Sequence, residues 1–271
     1  MEKFLQIEIK TLSQERLEVL IAELSDINFY AFEQNKNVLV AYISEERFDE
    51  AKFKGILQSD EEYELRLIEN KNWNEEWEVG FKPVCVREFV GIRASFHEHL
   101  QNVKHEIIIT PKMSFGTGHH ATTYLMIEQM EGINFREKTV IDFGTGTGVL
   151  AILAEKLGAK EVIAIDNDEW SINNALENIR ENNCKKIRVE KKDDFFTIGR
   201  PDVILANINL NVLTQNANKI SSLSRSGSLL LISGFLVSDE KEILSLFNNA
   251  GFLKKKIIAR DTWMSLLMER E

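Results

Sequence analysis

The sequence predicts an α/β protein: a mostly parallel seven-stranded sheet with a terminal antiparallel hairpin, behind a small α+β module. Three observations predict it. Beyond residue 84, five short apolar runs alternate with helical patterns, as buried parallel strands and their covering helices require. Two strand-like segments, 254–260 and 263–269, then follow with no helix between them. The first 68 residues instead read β-α-β-β-α-β, the order of a ferredoxin-like module. A chain of 271 residues is long enough to build a core in each part.

Phe4 to Ile9 alternates with period two and places Leu5, Ile7 and Ile9 on one face. Residues 14–24 put Leu17, Leu20, Ile21 and Leu24 on one helical stripe. Segments 29–33 and 37–43 form a strand pair across an Asn-Lys-Asn turn, 45–57 is helical, and 63–68 is a strand. Residues 69–80 are polar and hold Trp73 and Trp77. They read as a partly helical linker pinned by the two indoles, which serve equally well as ordinary packing residues. The expected domains are therefore 1–68, a linker over 69–83, and 84–271. In the last of these, strands 139–142, 161–166, 187–190, 202–206 and 228–233 alternate with helices such as 149–157, 169–182 and 239–250. This is the pattern of a doubly wound, Rossmann-like sheet. The closing hairpin separates it from an ordinary dinucleotide-binding domain.

Composition excludes several classes. No apolar run approaches the ~20 residues of a membrane span. The opening residues, Met1 to Glu8, alternate acidic and apolar side chains, unlike a signal or transit peptide. Cys85 and Cys184 lack metal-ligand spacing and suit a reducing compartment, so the cytoplasm is the expected location and no metal is expected. The net charge of −10 is unevenly placed: residues 1–80 carry nineteen acidic and nine basic side chains, and the remainder twenty-four of each. Such a face either solubilises the protein or recognises a basic partner. Basic residues are scattered rather than clustered, so direct nucleic-acid binding is not expected.

The strongest chemical signal runs from Val140 to Leu150. A strand ends in Asp142, and Gly144, Gly146 and Gly148 then turn the chain into a helix. Glycine is needed where backbone turns sharply and approaches a ligand closely, and the following helix N-terminus offers free N–H groups. Asp166 ends the next strand, 22 residues after Gly144, where a carboxylate can accept both hydroxyls of a ribose. A nicotinamide fingerprint would need glycine at 149, which is Val149, so the spacing fits a cofactor with no pyrophosphate. A second glycine loop, Phe115-Gly116-Thr117-Gly118-His119-His120, leads into a helix at 124–130 with a threonine N-cap, and makes an anion site. His120 is read as a ligand or base, or as a residue that simply caps or packs. Asn207, at the end of the fourth strand, faces the ligand crevice. Its carbonyl can accept a hydrogen bond from an amine and aim the amine's lone pair; the alternative is a cap for the next helix.

Together these stretches resemble the ribosomal protein L-eleven methyltransferase family over nearly the whole chain. The resemblance also takes in Trp73 and Trp77 before Phe81-Lys-Pro83, Thr122-Thr123, Ala206-Asn207-Ile208, Ser233-Gly234 and the closing Trp263–Arg270. It implies a class I methyltransferase domain of strand order 3-2-1-4-5-7-6, an N-terminal substrate-recognition domain, and S-adenosyl-L-methionine as co-substrate. By resemblance, Thr123, Gly144, Asp166 and Asn207 contact that co-substrate, with Phe115, Thr117 and Gly146 in the same two loops. Asn207 also positions the acceptor, and no dedicated base is identified. The implied reaction is ε-trimethylation of lysines, and methylation of the N-terminal α-amine, on the basic large-subunit ribosomal protein eleven. Departures are Thr110-Pro111-Lys112 where the family has Asp-Pro-Gly, His119 for a usual Thr, and Asn209-Leu210-Asn211 after Asn207. The alternatives are methylation of another protein, RNA or a small molecule, or a catalytically silent cofactor-binding assembly factor. Glutamine and nucleobase enzymes usually carry Asn-Pro-Pro-aromatic where this chain has Asn207-Ile-Asn-Leu210, which weighs against them.

Overall fold

In the computed structural model the chain divides into two compact units, residues 1–76 and 77–271. The structure describes residues 4–10, 16–17, 20–21, 23–24, 27–29, 31–35, 38–58, 61–68, 81–112, 114–192 and 199–271. The expected linker core at 69–80, with Trp73 and Trp77, lies outside the described residues, as does the tip of the expected Asn-Lys-Asn turn.

In the first unit, β1 (Phe4–Lys10), β2 (Ala31–Asn35), β3 (Val38–Ser44) and β4 (Glu62–Ile68) form an antiparallel sheet in the order β2-β3-β1-β4. This is the ferredoxin-like arrangement the sequence predicts. Residues 16, 17, 20, 21, 23 and 24 are helical, and Leu17, Leu20 and Leu24 meet Ile7 and Ile9 in the core. The second helix, α1 (Glu50–Ile56), is shorter than expected because Asp49 starts it, accepting the N–H groups of Ala51 and Lys52. Residues 45–47 make only a single 3-10 turn. Phe53 is fully buried, with ring centroids 5.9, 5.7 and 5.0 Å from Phe29, Phe48 and Tyr63.

The second unit opens with β5 (Val84–Val86), β6 (Val90–Arg93) and β7 (His105–Ile108), a separate three-stranded sheet. Strands of three or four residues carry too little periodicity to be read from sequence, and the sequence reading does not separate them. Then come α2 (Ala121–Met130), β8 (Thr139–Phe143), α3 (Val149–Lys156), β9 (Glu161–Asp166), α4 (Glu169–Glu181) and β10 (Ile187–Lys191). The chain continues through β11 (Val203–Asn207), α5 (Leu210–Leu223), β12 (Leu229–Leu236), α6 (Glu240–Asn249), β13 (Phe252–Arg260) and β14 (Trp263–Arg270). The seven strands run in the order β10-β9-β8-β11-β12-β14-β13, parallel as far as β12 and antiparallel at β14 and β13. Counted along the chain, that order is 3-2-1-4-5-7-6. Both faces are apolar: Val140, Val162, Val203 and Leu231 pack on one side, and Ile141, Ile163, Ile204 and Ile232 on the other. Strand order reverses between β8 and β11, so a crevice opens at their carboxyl ends.

A buried ion pair organises the loop after β6. Arg93, 3% exposed, donates to the Ala94 and His97 carbonyls (both 3.0 Å), and its Nε lies 2.9 Å from the Glu106 carboxylate. Burial alone would raise the Glu106 carboxyl, but Arg93, the Leu100 N–H and His99 together hold it at about 2. A depressed acid stabilises the fold above its ordinary value of 4.5 and loses that contribution as pH falls through about 2. Glu106→Gln is therefore expected to lower the melting temperature at pH 7 by about 2–8 °C. The gap to the native protein should close as thermal denaturation is followed from pH 4.5 to pH 2; a gap independent of pH would refute the assignment.

Candidate active site

The crevice is built from backbone first. The N–H groups of Gly144 and Thr145 both donate to the Ile165 carbonyl (2.9 Å each), tying the glycine loop to the end of β9. The next N–H, of Gly146, donates to Asp166 Oδ2 at 2.9 Å, while Asp166 Oδ1 accepts from Asp168 N–H at 3.1 Å. Gly146 has φ +53°, and a Cβ there would sit 2.2 Å from the Phe115 carbonyl oxygen. That oxygen accepts the Thr147 N–H at 2.9 Å, and the Thr147 hydroxyl donates to the Gly116 carbonyl at 2.7 Å. The two glycine loops, read separately in the sequence, are thus one folded body.

Asn207 closes β11, in register with Ser233 on β12. Its Nδ2 donates to Thr123 Oγ1 at 3.2 Å. Its Oδ1 is buried and has no hydrogen-bond partner. The helix-cap alternative for Asn207 is set aside, because Asn209 caps α5 by accepting the Val212 N–H at 3.0 Å. Within β12, at the register shift between Ser233 and Phe235, Gly234 lets the Ile208 backbone come close: a Cβ on it would meet the Ile208 carbonyl oxygen at 2.2 Å.

The second loop needs a correction. Helix α2 begins at Ala121 rather than 124, and its N-cap is His120, not a threonine. Imidazole Nδ1 stands as many bonds from Cα as the Oδ1 of an Asn cap, and accepts the Thr122 N–H at 3.3 Å. Of the two readings of His120, capping and packing are the ones seen: its ring lies 5.2 Å from Phe115 and 4.8 Å from Trp263. Thr117 is tied to His119, 3.2 Å away, and the half-exposed Phe115 contributes its carbonyl to the loop junction. Gly144, Gly146 and Asp166 are therefore brought together around one junction, and Thr123 and Asn207 form a second pair.

Asn178 is a residue the sequence reading misses. Fully buried on α4, it accepts the Thr110 N–H at 2.7 Å and donates to the Thr147 carbonyl at 2.8 Å. Asn182 brackets Ile108 in the same way, accepting its N–H at 3.0 Å and donating to its carbonyl at 2.6 Å. The signal was present as Asn174, Asn178 and Asn182 at helical spacing beside the buried Ala175 and Ile179. Lys112, one of the unusual residues, pairs with Glu177 on the same helix.

Asp142, beneath the loop, is 1% exposed and accepts the Thr145 hydroxyl at 2.6 Å. Burial drives its carboxyl up to about 7. The Thr145 hydroxyl and the Ala151 N–H pull it down, and the charge of Asp166 adds to the rise. Among the described residues no group of three His, Cys, Asp or Glu side chains is placed to hold a metal, and no helix is long and apolar enough to cross a membrane.

The comparisons agree with this geometry. Residues 5–271 match the family model described as Ribosomal protein L11 methyltransferase (PrmA). Proteins named Ribosomal protein L11 methyltransferase from Porphyromonas gingivalis and Chlorobaculum tepidum are 36% and 38% identical over 258 and 266 residues. The alignments cover 92% and 93% of this chain and 89% and 92% of those proteins. Among solved structures, ribosomal protein L11 methylase from Lactobacillus delbrueckii subsp. bulgaricus superposes with a TM-score of 0.65 at 26% identity. That match covers 70% of this chain and all of the other.

The Asp142 environment generates a prediction of definite sign. A carboxyl raised above its ordinary 3.8 leaves the fold uncharged and unpenalised below that value; ionisation then costs stability up to about pH 7 and no more beyond. Asp142→Asn keeps an acceptor for Thr145 and removes the charge. Denaturant titrations are expected to show the variant more stable at pH 8 by up to about 4 kcal/mol, with no gain at pH 4. Equal stability at both values would mean that the carboxylate is not paying a burial cost.

Proposed function

The chain belongs to the ribosomal protein L11 methyltransferase family, and from that premise we propose that it methylates amines of ribosomal protein L11, lysine ε-amines and the N-terminal α-amine, in the cytoplasm. The observation that carries the reading is Asn207 Oδ1: a buried acceptor without a partner, at the ligand edge of the sheet. A buried acceptor left without a hydrogen bond is costly, of order 1–3 kcal/mol. An amine N–H arriving from a substrate satisfies it.

The junction fits S-adenosyl-L-methionine. The glycine loop packs against Ile208, Phe115 and Ala175 with no room for side chains, and Asp166, anchored by Gly146, is the carboxylate suited to a ribose. Thr123 holds the Asn207 amide, and Phe115 and Thr117 belong to the loop that covers the junction. When bound, this co-substrate supplies a methyl group on a positively charged sulfur. The protein's own task is to deliver a neutral amine in line with that methyl. A free lysine, with a pKa of ~10.4, is almost wholly protonated at neutral pH. Desolvation in the crevice favours the neutral form. Asn207 Oδ1 then takes one N–H and points the nitrogen lone pair at the methyl carbon. With the co-substrate bound, the nitrogen lone pair would take the methyl carbon while the C–S pair went to sulfur, and the resulting ammonium would shed a proton to water. The acidic surplus of residues 1–80 supports recognition of a basic protein by the first unit.

Two substitutions test this. Asn207→Ala is expected to lower kcat on unmethylated ribosomal protein L11 by around a hundred-fold, since misplacement by about 1 Å costs that much. Calorimetric affinity for S-adenosyl-L-methionine should stay within a few-fold; a parallel collapse of both would make Asn207 a cofactor contact only. Asp166→Ala should weaken that same affinity by roughly ten- to a hundred-fold, the worth of a charge-assisted bond. Unchanged binding in a folded variant would remove Asp166 from the ribose role.

A further inference from the structure

β4 is the last strand of the first sheet: β1 lies on one side of it, and among the described residues no strand pairs with the other. Such an edge is a row of unpaired N–H and C=O groups, which proteins usually blunt with lysines, bulges or proline. The edge strand β13 of the large sheet is blunted in this way, with Lys254, Lys255 and Lys256 around a register shift. β4 is not. It pairs with β1 residue for residue from Glu62 to Ile68, and its one basic residue is Arg66. On the face it shares with the core, Leu65 and Leu67 are 42% and 46% exposed, although Ile7 and Leu5 opposite them are buried. On the other face Glu64 stands directly across from Glu8, a like-charge neighbour that costs stability. The ion pair of Glu64 with Arg66 has both side chains more than half exposed, so it contributes little and is free to exchange.

We infer that two copies of this chain associate through β4, edge to edge and antiparallel, joining two four-stranded sheets into one of eight. The segment Glu62-Tyr-Glu-Leu-Arg-Leu-Ile68 is complementary to itself in one register. With a two-fold axis at Leu65, that residue meets its own copy and Tyr63 meets the partner's Leu67. Glu64 then meets the partner's Arg66, once on each side of the axis. Centring the pair on Glu64 or on Arg66 instead sets two like charges against each other. A slip by one residue sets Leu65 against Glu64 and turns the two cores to opposite faces. The favoured contact uses the same patch on both copies, so it closes at two and does not run on into fibres. It also answers both features that are unfavourable in a single copy. The exposed leucines cover one another, and the partner's Arg66 offsets the repulsion between Glu64 and Glu8.

Sedimentation equilibrium of the full chain over a range of concentrations should show monomer and dimer in exchange. Amide hydrogen exchange should show residues 62–68 better protected as concentration rises. Arg66→Glu and Glu64→Arg each set like charges against one another on both sides of the axis, and each should weaken self-association by about ten-fold or more. Mixed one to one, the two variants are complementary and should form a heterodimer with an affinity close to that of the native pair, which also shows that neither substitution unfolds the chain. Leu65→Lys, checked by circular dichroism for a native fold, should leave monomers. A native chain that stays monomeric at every concentration would overturn the inference. So would a dimer indifferent to these substitutions, or two charge variants that each dissociate and fail to pair with one another. If the native chain is monomeric and Leu65→Lys lowers its affinity for ribosomal protein L11, the edge serves the substrate and the inference falls as well.

Discussion

The space above Gly146 is the constraint from which the rest of the site follows. No Cβ fits between that residue and the Phe115 carbonyl, so two loops thirty residues apart in sequence share one backbone junction. The N–H of Gly146 fixes Asp166, the carbonyl of Phe115 fixes Thr147, and the same Phe115 segment runs on to the His120 cap of α2. Helix α2 in turn carries Thr123 to Asn207. A side chain at 146 would part the loops and, with them, every group placed by that chain of contacts. Positioning by backbone suits a site that must hold a ligand closely, because peptide groups in a packed turn have no rotamers to lose.

Buried polar groups do the remaining alignment. Asn178 joins the Thr110 segment to the glycine loop from beneath, and Asn182 does the same one turn later for Ile108. These are saturated hydrogen-bonding groups, which stiffen a region when every member is satisfied. Asn207 Oδ1, like Gln129 Oε1 and Asp142 Oδ1, is a buried acceptor left open. What sets Asn207 apart is its place at the carboxyl end of β11, beside the crevice.

The doubly wound sheet, its hairpin and the ferredoxin-like module were legible because their strands are long, apolar and punctuated by glycine or charge. Strand boundaries moved by one to three residues, as at β8, which extends to Phe143, and β12, which runs on to Leu236. Three features were less legible, each for a physical reason. Strands β5 to β7 are too short to show a period. A histidine cap is chemically sound but rare enough that the neighbouring threonines looked better. Asn178 and Asn182 acquire their meaning only from what lies across from them in space, a relation that spacing along one helix does not encode. Asp166 and Asn207 could be singled out in the sequence because strand ends in such sheets face the ligand whatever the details of the loops.

The strand order has a bearing on how the molecule comes into being. β14 is the last of the seven strands to be synthesised, yet it lies inside the sheet, between β12 and β13. Until it has emerged, β12 presents an open edge and β13 has no neighbour to pair with, so the second unit cannot finish folding progressively behind the ribosome's exit. Contacts of such long sequence separation form late, and an unpaired edge is exposed to aggregation in the meantime. Trp263, at the start of that strand, reaches His120 only when the sheet has closed. A nascent chain therefore holds its glycine loops and acidic strand ends well before it holds a complete crevice, and the arrival of β14 is what turns a bare nucleotide-fold scaffold into a finished site.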